Sequence, residues 1–375
     1  MTTRVLLLST IHPATDPRIV LKIAPALALR YQVFCCLPHA RLSSNQDPIQ
    51  YIPLPYFRLL VLRLLITHAW LLLRCLALRP GIVHIFVPEL IPIAALFRLT
   101  GAQVIYEVQE DLAKKFSIKR YNKAYIFRYI WGKCDRWARN NFSVIFTEDA
   151  YLEHYQPAHQ DWAVIHNYVS LELLDNPSKG PLFPPHFIYS GVISWERCLD
   201  VMIEAFTILK MEIPEFKVHL FGKLQLSAEN KKRIMRNKLV KEHFIWHGYQ
   251  DLRLIAHHAI GATAGIALLR PVADYPESFS TKIFEYMAWQ LPVITSDFKL
   301  YRDVVESHHC GYCIPPEDPE LLARNLTWLC YNPKTVVLLG SNGRNAAQAH
   351  YNWYQEKKKL ILLYEKLEKR HSNRV

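Results

Sequence analysis

Glu277 and Glu285 stand eight positions apart. The polar stretch Ser278-Phe279-Ser280-Thr281-Lys282 follows the first, and the apolar run Pro292-Val293-Ile294 follows the second. The pattern predicts a loop, an amphipathic helix and a buried strand, in that order. Glu277 on the loop can accept hydrogen bonds from sugar hydroxyls, while the backbone N–H groups of Ser278 to Thr281 form a positive helix end that receives a diphosphate. Glu285, about two turns into the helix, can accept both hydroxyls of a ribose, and Lys282 adds a point charge for the diphosphate. Together they suit a sugar nucleotide. Two glutamates at this spacing also arise as solvated helix carboxylates, so context has to decide.

Other candidate chemistry is sparse. Arg197 follows the strand ending at Gly191 and precedes the helix Cys198 to Lys210, which puts a guanidinium near the diphosphate; Lys223 after Gly222 is a weaker second cation. Cys310-Gly311-Tyr312-Cys313, with His308 and His309 before it, lacks a second ligand pair at zinc-finger spacing, so no metal is expected there. Asp-x-Asp, Gly-x-Gly-x-x-Gly, Walker and Gly-x-Ser-x-Gly motifs are absent, which removes support for metal-held diphosphate, nicotinamide, ATP and serine-hydrolase chemistry.

The elements that position these residues are legible as alternation. Short apolar runs (Val5 to Ser9, Gln32 to Leu37, Ile82 to Phe86, Val104 to Tyr106, Val144 to Thr147, Val164 to His166) alternate with helix-like stretches. A second series follows at Phe187 to Ser190, Val218 to Phe221, Phe244 to His247, Ala264 to Leu268, Pro292 to Thr295 and Gly311 to Ile314. Such alternation predicts parallel sheets covered by helices. The Pro-, Gly- and Ser-bearing stretch Asn176 to Pro185 divides the two series. At 375 residues, two domains are expected, 1–170 and 171–350, with a closing helix in 351–375.

Eight dispersed cysteines read as a reducing compartment, and Val5-Leu6-Leu7-Leu8 as a first strand rather than an export signal. A cytoplasmic protein is expected. Residues 1 to 170 hold 19 Lys and Arg against 11 Asp and Glu, net +8, out of +12 for the chain. No nucleic-acid signature accompanies this charge, and an anionic membrane surface fits it better. Arg58 to Arg79 is apolar apart from its arginines, Thr67 and His68; it reads as a buried core helix or as a helix in a membrane interface with arginines reaching the headgroups. Lys114 to Arg139, with Lys115, Lys119 and Arg120, interleaves basic and aromatic residues and is a second candidate for membrane contact.

The segment Glu277 to Ala288 resembles the E-x7-E signature of retaining nucleotide-sugar glycosyltransferases of family 4, in the branch reading Thr-Lys-x-Phe-Glu-Tyr-Met at Thr281 to Met287. Further likenesses run along the chain in order. They include Ser9-Thr10-Ile11-His12-Pro13 with Asp16-Pro17-Arg18-Ile19, Pro88-Glu89-Leu90, and Tyr106-Glu107-Val108-Gln109-Glu110. Phe187 to Gly191 with Arg197, Val218 to Gly222, Ile245 to Tyr249 and the helix Trp353 to Leu367 complete the series. The resemblance implies a GT-B fold: α/β, two doubly wound Rossmann-like domains facing across a cleft, with the C-terminal helix crossing back to the first.

It also implies Glu277, Arg197 and Lys282 as catalytic residues. The donor would be held by Glu285, Ser278, Phe279, Ser280, Thr281, Gly191, Lys223 and Tyr249, and the acceptor side would carry His12, Asp16, Gln109 and Glu110. No metal or other cofactor is implied. Expected partners are a nucleotide-sugar donor, a lipid-linked or saccharide acceptor and an anionic membrane, but no nucleic acid. The chain departs from the branch in three places. Phe86-Val87 replaces His-Asp before Pro88; Gln109, which cannot become a cation or shuttle a proton, replaces a histidine facing donor and acceptor; and Cys198 replaces the glycine after the cation.

Overall fold

The computed structural model describes residues 2–42, 47–111, 125–155, 161–173 and 180–372. Lys114, Lys115, Lys119, Arg120 and the beginning of the Asn176 to Pro185 stretch lie outside them. The chain divides into two compact units, Met1–Asn167 with Trp353–Val375, and Tyr168–Asn352.

In the first unit the strands β1 (Arg4–Leu8), β2 (Gln32–Pro38), β3 (Ile49–Leu54), β4 (Ile82–Ile85), β5 (Gln103–Val108), β6 (Ser143–Phe146) and β7 (Trp162–Val164) form one parallel sheet, in the order β3-β2-β1-β4-β5-β6-β7. The helices α1 (Ile19–Ala28), α2 (Leu60–Leu78), α3 (Ile91–Leu99), α4 (Tyr125–Asn141) and α5 (Asp149–Tyr155), with the closing helix Trp353–Ser372, belong to the same unit. Successive strand residues point to opposite faces. Val5 and Leu7 therefore pack with Ile19, Ile23 and the closing helix's Leu360, Leu363 and Tyr364, while Leu6 and Leu8 pack with Leu71, Phe97 and Phe142. A hydrogen bond between Tyr364 Oη and His84 Nδ1, 2.8 Å, ties the closing helix to the middle of the sheet.

The second unit repeats the plan. Its strands β8 (His186–Ser190), β9 (Lys217–Phe221), β10 (Phe244–Gly248), β11 (Ala264–Ala267), β12 (Val293–Ser296) and β13 (Gly311–Ile314) are parallel in the order β10-β9-β8-β11-β12-β13. The helices are α6 (Leu199–Glu212), α7 (Ala228–Arg236), α8 (Lys238–His243), α9 (Leu252–Ala259), α10 (Thr281–Ala288), α11 (Lys299–Val305), α12 (Pro319–Tyr331) and α13 (Pro333–Ala349). Strand order reverses between β8 and β11. In such sheets ligands bind beyond the carboxyl ends of the strands at the reversal.

Three expectations need amendment. β3 was not anticipated: Pro53 and its half-buried residues obscure it, and a proline is tolerated because β3 is an edge strand. The helix in Arg58 to Arg79 is not a buried core helix. It buries Thr67, His68, Leu71 and Cys75 and exposes Val61, Leu65, Ile66, Leu73 and Leu76. Arg63 does not reach outward either, because its guanidinium pairs with Glu89 through both arms, at 2.7 and 2.9 Å. Finally, the units part at Asn167 and Tyr168, ahead of the Pro-, Gly- and Ser-bearing stretch. Tyr168 packs against Phe284 and Tyr351 at ring separations of 4.7 and 5.4 Å and so joins the second core.

Candidate active site

β8 ends in Ser190, and Gly191 turns the chain with φ +111°. This glycine is required: a Cβ here would lie 3.0 Å from Lys282 Cε and 3.5 Å from Arg197 Nη1, so both cations converge on bare backbone. The neighbouring strand tip is equally close. Gly222, with φ +139°, would place a Cβ 1.9 Å from the Gly191 carbonyl oxygen. The end of β8, at the sheet's reversal, and that of its neighbour β9 thus form a surface of main chain beneath two basic side chains.

Lys282, on the first turn of α10, is 4% exposed. Its Nζ sits 4.4 Å from the Tyr189 ring centroid and donates to Tyr189 Oη at 3.3 Å. Burial first, and then the charge of Arg197, holds its pKa well below the ordinary lysine value, against the opposing pull of Glu285. Arg197 ends the turn Trp195–Arg197 and lies over the Tyr275 ring at 5.8 Å. Cys198 after it adopts φ +57° and is fully buried. Glycine adopts that left-handed conformation without strain, whereas a cysteine costs about 1 kcal/mol there.

Glu285 extends from α10 to the end of β8, where its Oε2 accepts from Ser190 Oγ at 3.2 Å. Tyr286 beside it is buried; its hydroxyl accepts from Ser190 N at 2.9 Å and donates to the Ile266 carbonyl at 3.1 Å, fastening α10 to β8 and β11. The structure therefore brings Gly191, Arg197, Lys282 and Glu285 together. Glu277 closes the turn Tyr275–Glu277 and is half-buried. Ser278 accepts from Tyr301 Oη at 3.0 Å through its carbonyl, and Phe279 packs its ring 5.2 Å from Phe284. Ser280 stands at the N-cap of α10 without a side-chain capping bond, and Thr281 begins the helix, so no side chain of the cap occupies the first-turn amides. Lys223 and Tyr249 are exposed beyond the ends of β9 and β10. Sequence reading gave no role to Tyr189, Ser190 and Tyr286, although each lies inside a stretch that resembles the family: the first two end β8 and the third follows Glu285 on α10.

In the first unit His12 Nδ1 lies 2.8 Å from Ser9 Oγ in the loop after β1. Asp16 caps the start of α1, its carboxylate accepting from Ile19 N at 2.9 Å. Gln109 donates to Glu107 at 2.6 Å, and Glu110 is exposed. Glu107 is the buried hub, held by Arg18 at 2.8 and 3.1 Å with His84 Nε2 at 3.5 Å. Burial alone would raise its pKa; Arg18 and His84 reverse that and hold it far below the usual carboxylate range. Thr10 and Arg63 both bind Glu89, which joins the loop after β1, the turn Pro88–Leu90 and α2 in one polar group.

Residues 175–346, inside the second unit, match the family described as "Glycosyl transferases group 1". EpsD of Bacillus subtilis (strain 168) is 23% identical over 162 residues, a match spanning 43% of this chain and 40% of EpsD. The chain is similar in structure to sucrose-phosphate synthase from Thermosynechococcus elongatus (TM-score 0.74, 18% identity, 97% of this chain and 99% of that one). It is also similar to WaaG, a glycosyltransferase involved in lipopolysaccharide biosynthesis (TM-score 0.72, 15% identity, 96% and 99%). Anabaena HepE in complex with UDP-glucose gives a TM-score of 0.70 at 13% identity, over 98% and 100% of the two chains. Two parallel α/β units, these likenesses and the match across the second unit agree: the chain has the GT-B fold of glycosyltransferases, and its second unit matches their group 1.

Proposed function

We propose that the chain is a retaining glycosyltransferase of family 4 that moves a hexose-type sugar from a nucleoside diphosphate to a lipid-linked or growing saccharide acceptor, at the cytoplasmic face of a membrane. One observation carries the reading: Lys282 and Arg197 converge on Gly191 at the sheet's reversal, with Glu285 beside them. Cations over bare backbone suit a diphosphate leaving group, and Glu285 suits the ribose. Glu277 is assigned to the donor sugar. The departing diphosphate would itself take the acceptor proton on the face it leaves, which makes a histidine at position 109 dispensable. No metal is assigned to this step. HepE in complex with UDP-glucose supports a sugar-nucleotide donor.

The membrane part of the proposal is supported by α2. It is long and apolar enough to cross a membrane by length and composition, and only 22% of it is buried.

The test is release of nucleoside diphosphate from a panel of sugar nucleotides, with and without saccharide and lipid-linked acceptors. Release by the intact chain, greatly reduced in Lys282→Ala, is expected. Binding without release, or neither across the panel, would favour a second reading, a catalytically silent GT-B scaffold that binds nucleotide or a partner enzyme. The observation favouring it is Gln109, whose amide is turned onto Glu107 where the family places a histidine.

A further inference from the structure

Three histidines gather on one face of the second unit's sheet, one each from β9, β10 and α9: His219, His247 and His258. One ring nitrogen from each lies within 4.8 Å of the others, and His219 Nδ1 stands 2.9 Å from His247 Nε2. The ring centroids are 5.2, 4.7 and 5.3 Å apart. With Zn–N bonds of about 2.0–2.1 Å and tetrahedral angles, imidazoles sharing one ion have centroids about 5 Å apart. The centroid spacings match that triangle, while the 2.9 Å contact between His219 Nδ1 and His247 Nε2 is a hydrogen bond, shorter than the about 3.3 Å between two ligands of one ion, so these two rings turn about their side-chain bonds to admit it.

We propose that His219, His247 and His258 bind one divalent transition-metal ion of the Zn2+ type. Three neutral nitrogen ligands and no carboxylate suit Zn2+, Ni2+ or Cu2+ rather than Mg2+ or Ca2+. The neutral imidazole is the form that binds such an ion. The proton shared between His219 and His247 need only move to an outer ring nitrogen. Phe221 stacks on His247 at 4.3 Å as an apolar wall, and His186 Nε2 donates to the His258 carbonyl at 3.2 Å, holding the end of α9. His258 is exposed, so the fourth position faces water. The set escapes linear motif reading because its members are 28 and 11 residues apart and meet only through the sheet. The ion would fasten β9, β10 and α9 together; it has no part in the diphosphate chemistry.

The test uses the full, untagged chain stripped with a chelator. Calorimetry with Zn2+ should show one equivalent bound, with a rise in Tm, and Co2+ should give tetrahedral d–d absorption without thiolate bands. Losing an outer partner of a metal ligand costs about 10–100-fold in affinity; His258→Ala and His247→Gln should each cost at least that, whereas His257→Ala, on the same helix, should not. His258→Ala changes an exposed residue, so it stands if the other variant fails to fold. Absence of a stoichiometric site, thiolate bands with Co2+, or unchanged Zn2+ affinity in His258→Ala would overturn the assignment.

Discussion

Lys282 is a lysine in a place that disfavours its charge. It lies against the Tyr189 ring with Arg197 nearby, and burial lowers its pKa. An arriving diphosphate reverses the balance, because the anion favours the ammonium form. Donor binding should therefore take up protons, a linkage that calorimetry in buffers of different ionisation enthalpy measures directly; Lys282→Ala should abolish the uptake. Arg197→Ala and Lys282→Ala should each lower kcat/KM while binding of the bare nucleoside stays nearly unchanged. Equal loss of nucleoside and nucleoside diphosphate would instead mean that the site had collapsed. Glu285→Gln should weaken nucleoside diphosphate binding by about 1.5–3 kcal/mol, the range for a hydrogen bond to a charged group, and unchanged affinity in a folded variant would remove Glu285 from the site. The two glutamates and the two cations were legible in the sequence because their spacing is local to one loop and one helix, or anchored to one strand end. The roles of Ser190 and Tyr286 were not, since both lie in quoted stretches but their hydrogen bond exists only once β8 and α10 meet. Cys198 was legible as a departure, but its left-handed backbone was not.

At the scale of elements, burial decided what could be read. The strands lined by apolar residues on both faces announce themselves as short runs, whereas β3, half-buried at an edge with Pro53 in it, does not. α2 shows the opposite problem. Its composition fits a core helix and an interfacial one equally, and only the sheet beneath it shows which residues remain outside. Its exposed Leu65 and Leu73 define an apolar face, and Arg58 and Arg79 flank it in sequence. Sedimentation with anionic vesicles should exceed that with neutral ones and fall with salt, at about 1 kcal/mol per basic residue near the surface. Leu65→Glu with Leu73→Glu should release the protein without altering its circular dichroism. Equal binding to both vesicle types, or to neither, would leave α2 with another use.

On the scale of the whole molecule, the chain leaves the first unit after Asn167 and returns at Trp353. His166, one residue before the departure, has Nε2 3.0 Å from Asp149, and its backbone N–H donates to Glu356 of the closing helix at 2.8 Å. Burial alone would lower its pKa, but the two carboxylates raise it to about 9 from an unperturbed 6.5. A raised histidine stabilises the fold fully below the unfolded value and loses that contribution as pH climbs through the folded one. Stability of the first unit should therefore decline between about pH 6.5 and 9, by at most about 3 kcal/mol. The loss should be smaller in practice, because Asp149 is 72% exposed and screened by water. Urea unfolding across that range should show the slope, and His166→Gln should flatten it. The same topology orders events during synthesis. All seven strands of the first sheet are made before residue 168, yet one layer of that unit's core needs Trp353, Leu360, Tyr364 and Leu367. The second unit is contiguous and can close as soon as Asn352 leaves the ribosome, so the part translated later is complete first, and the earlier part waits, with one face of its sheet covered by α1 alone, for the closing helix.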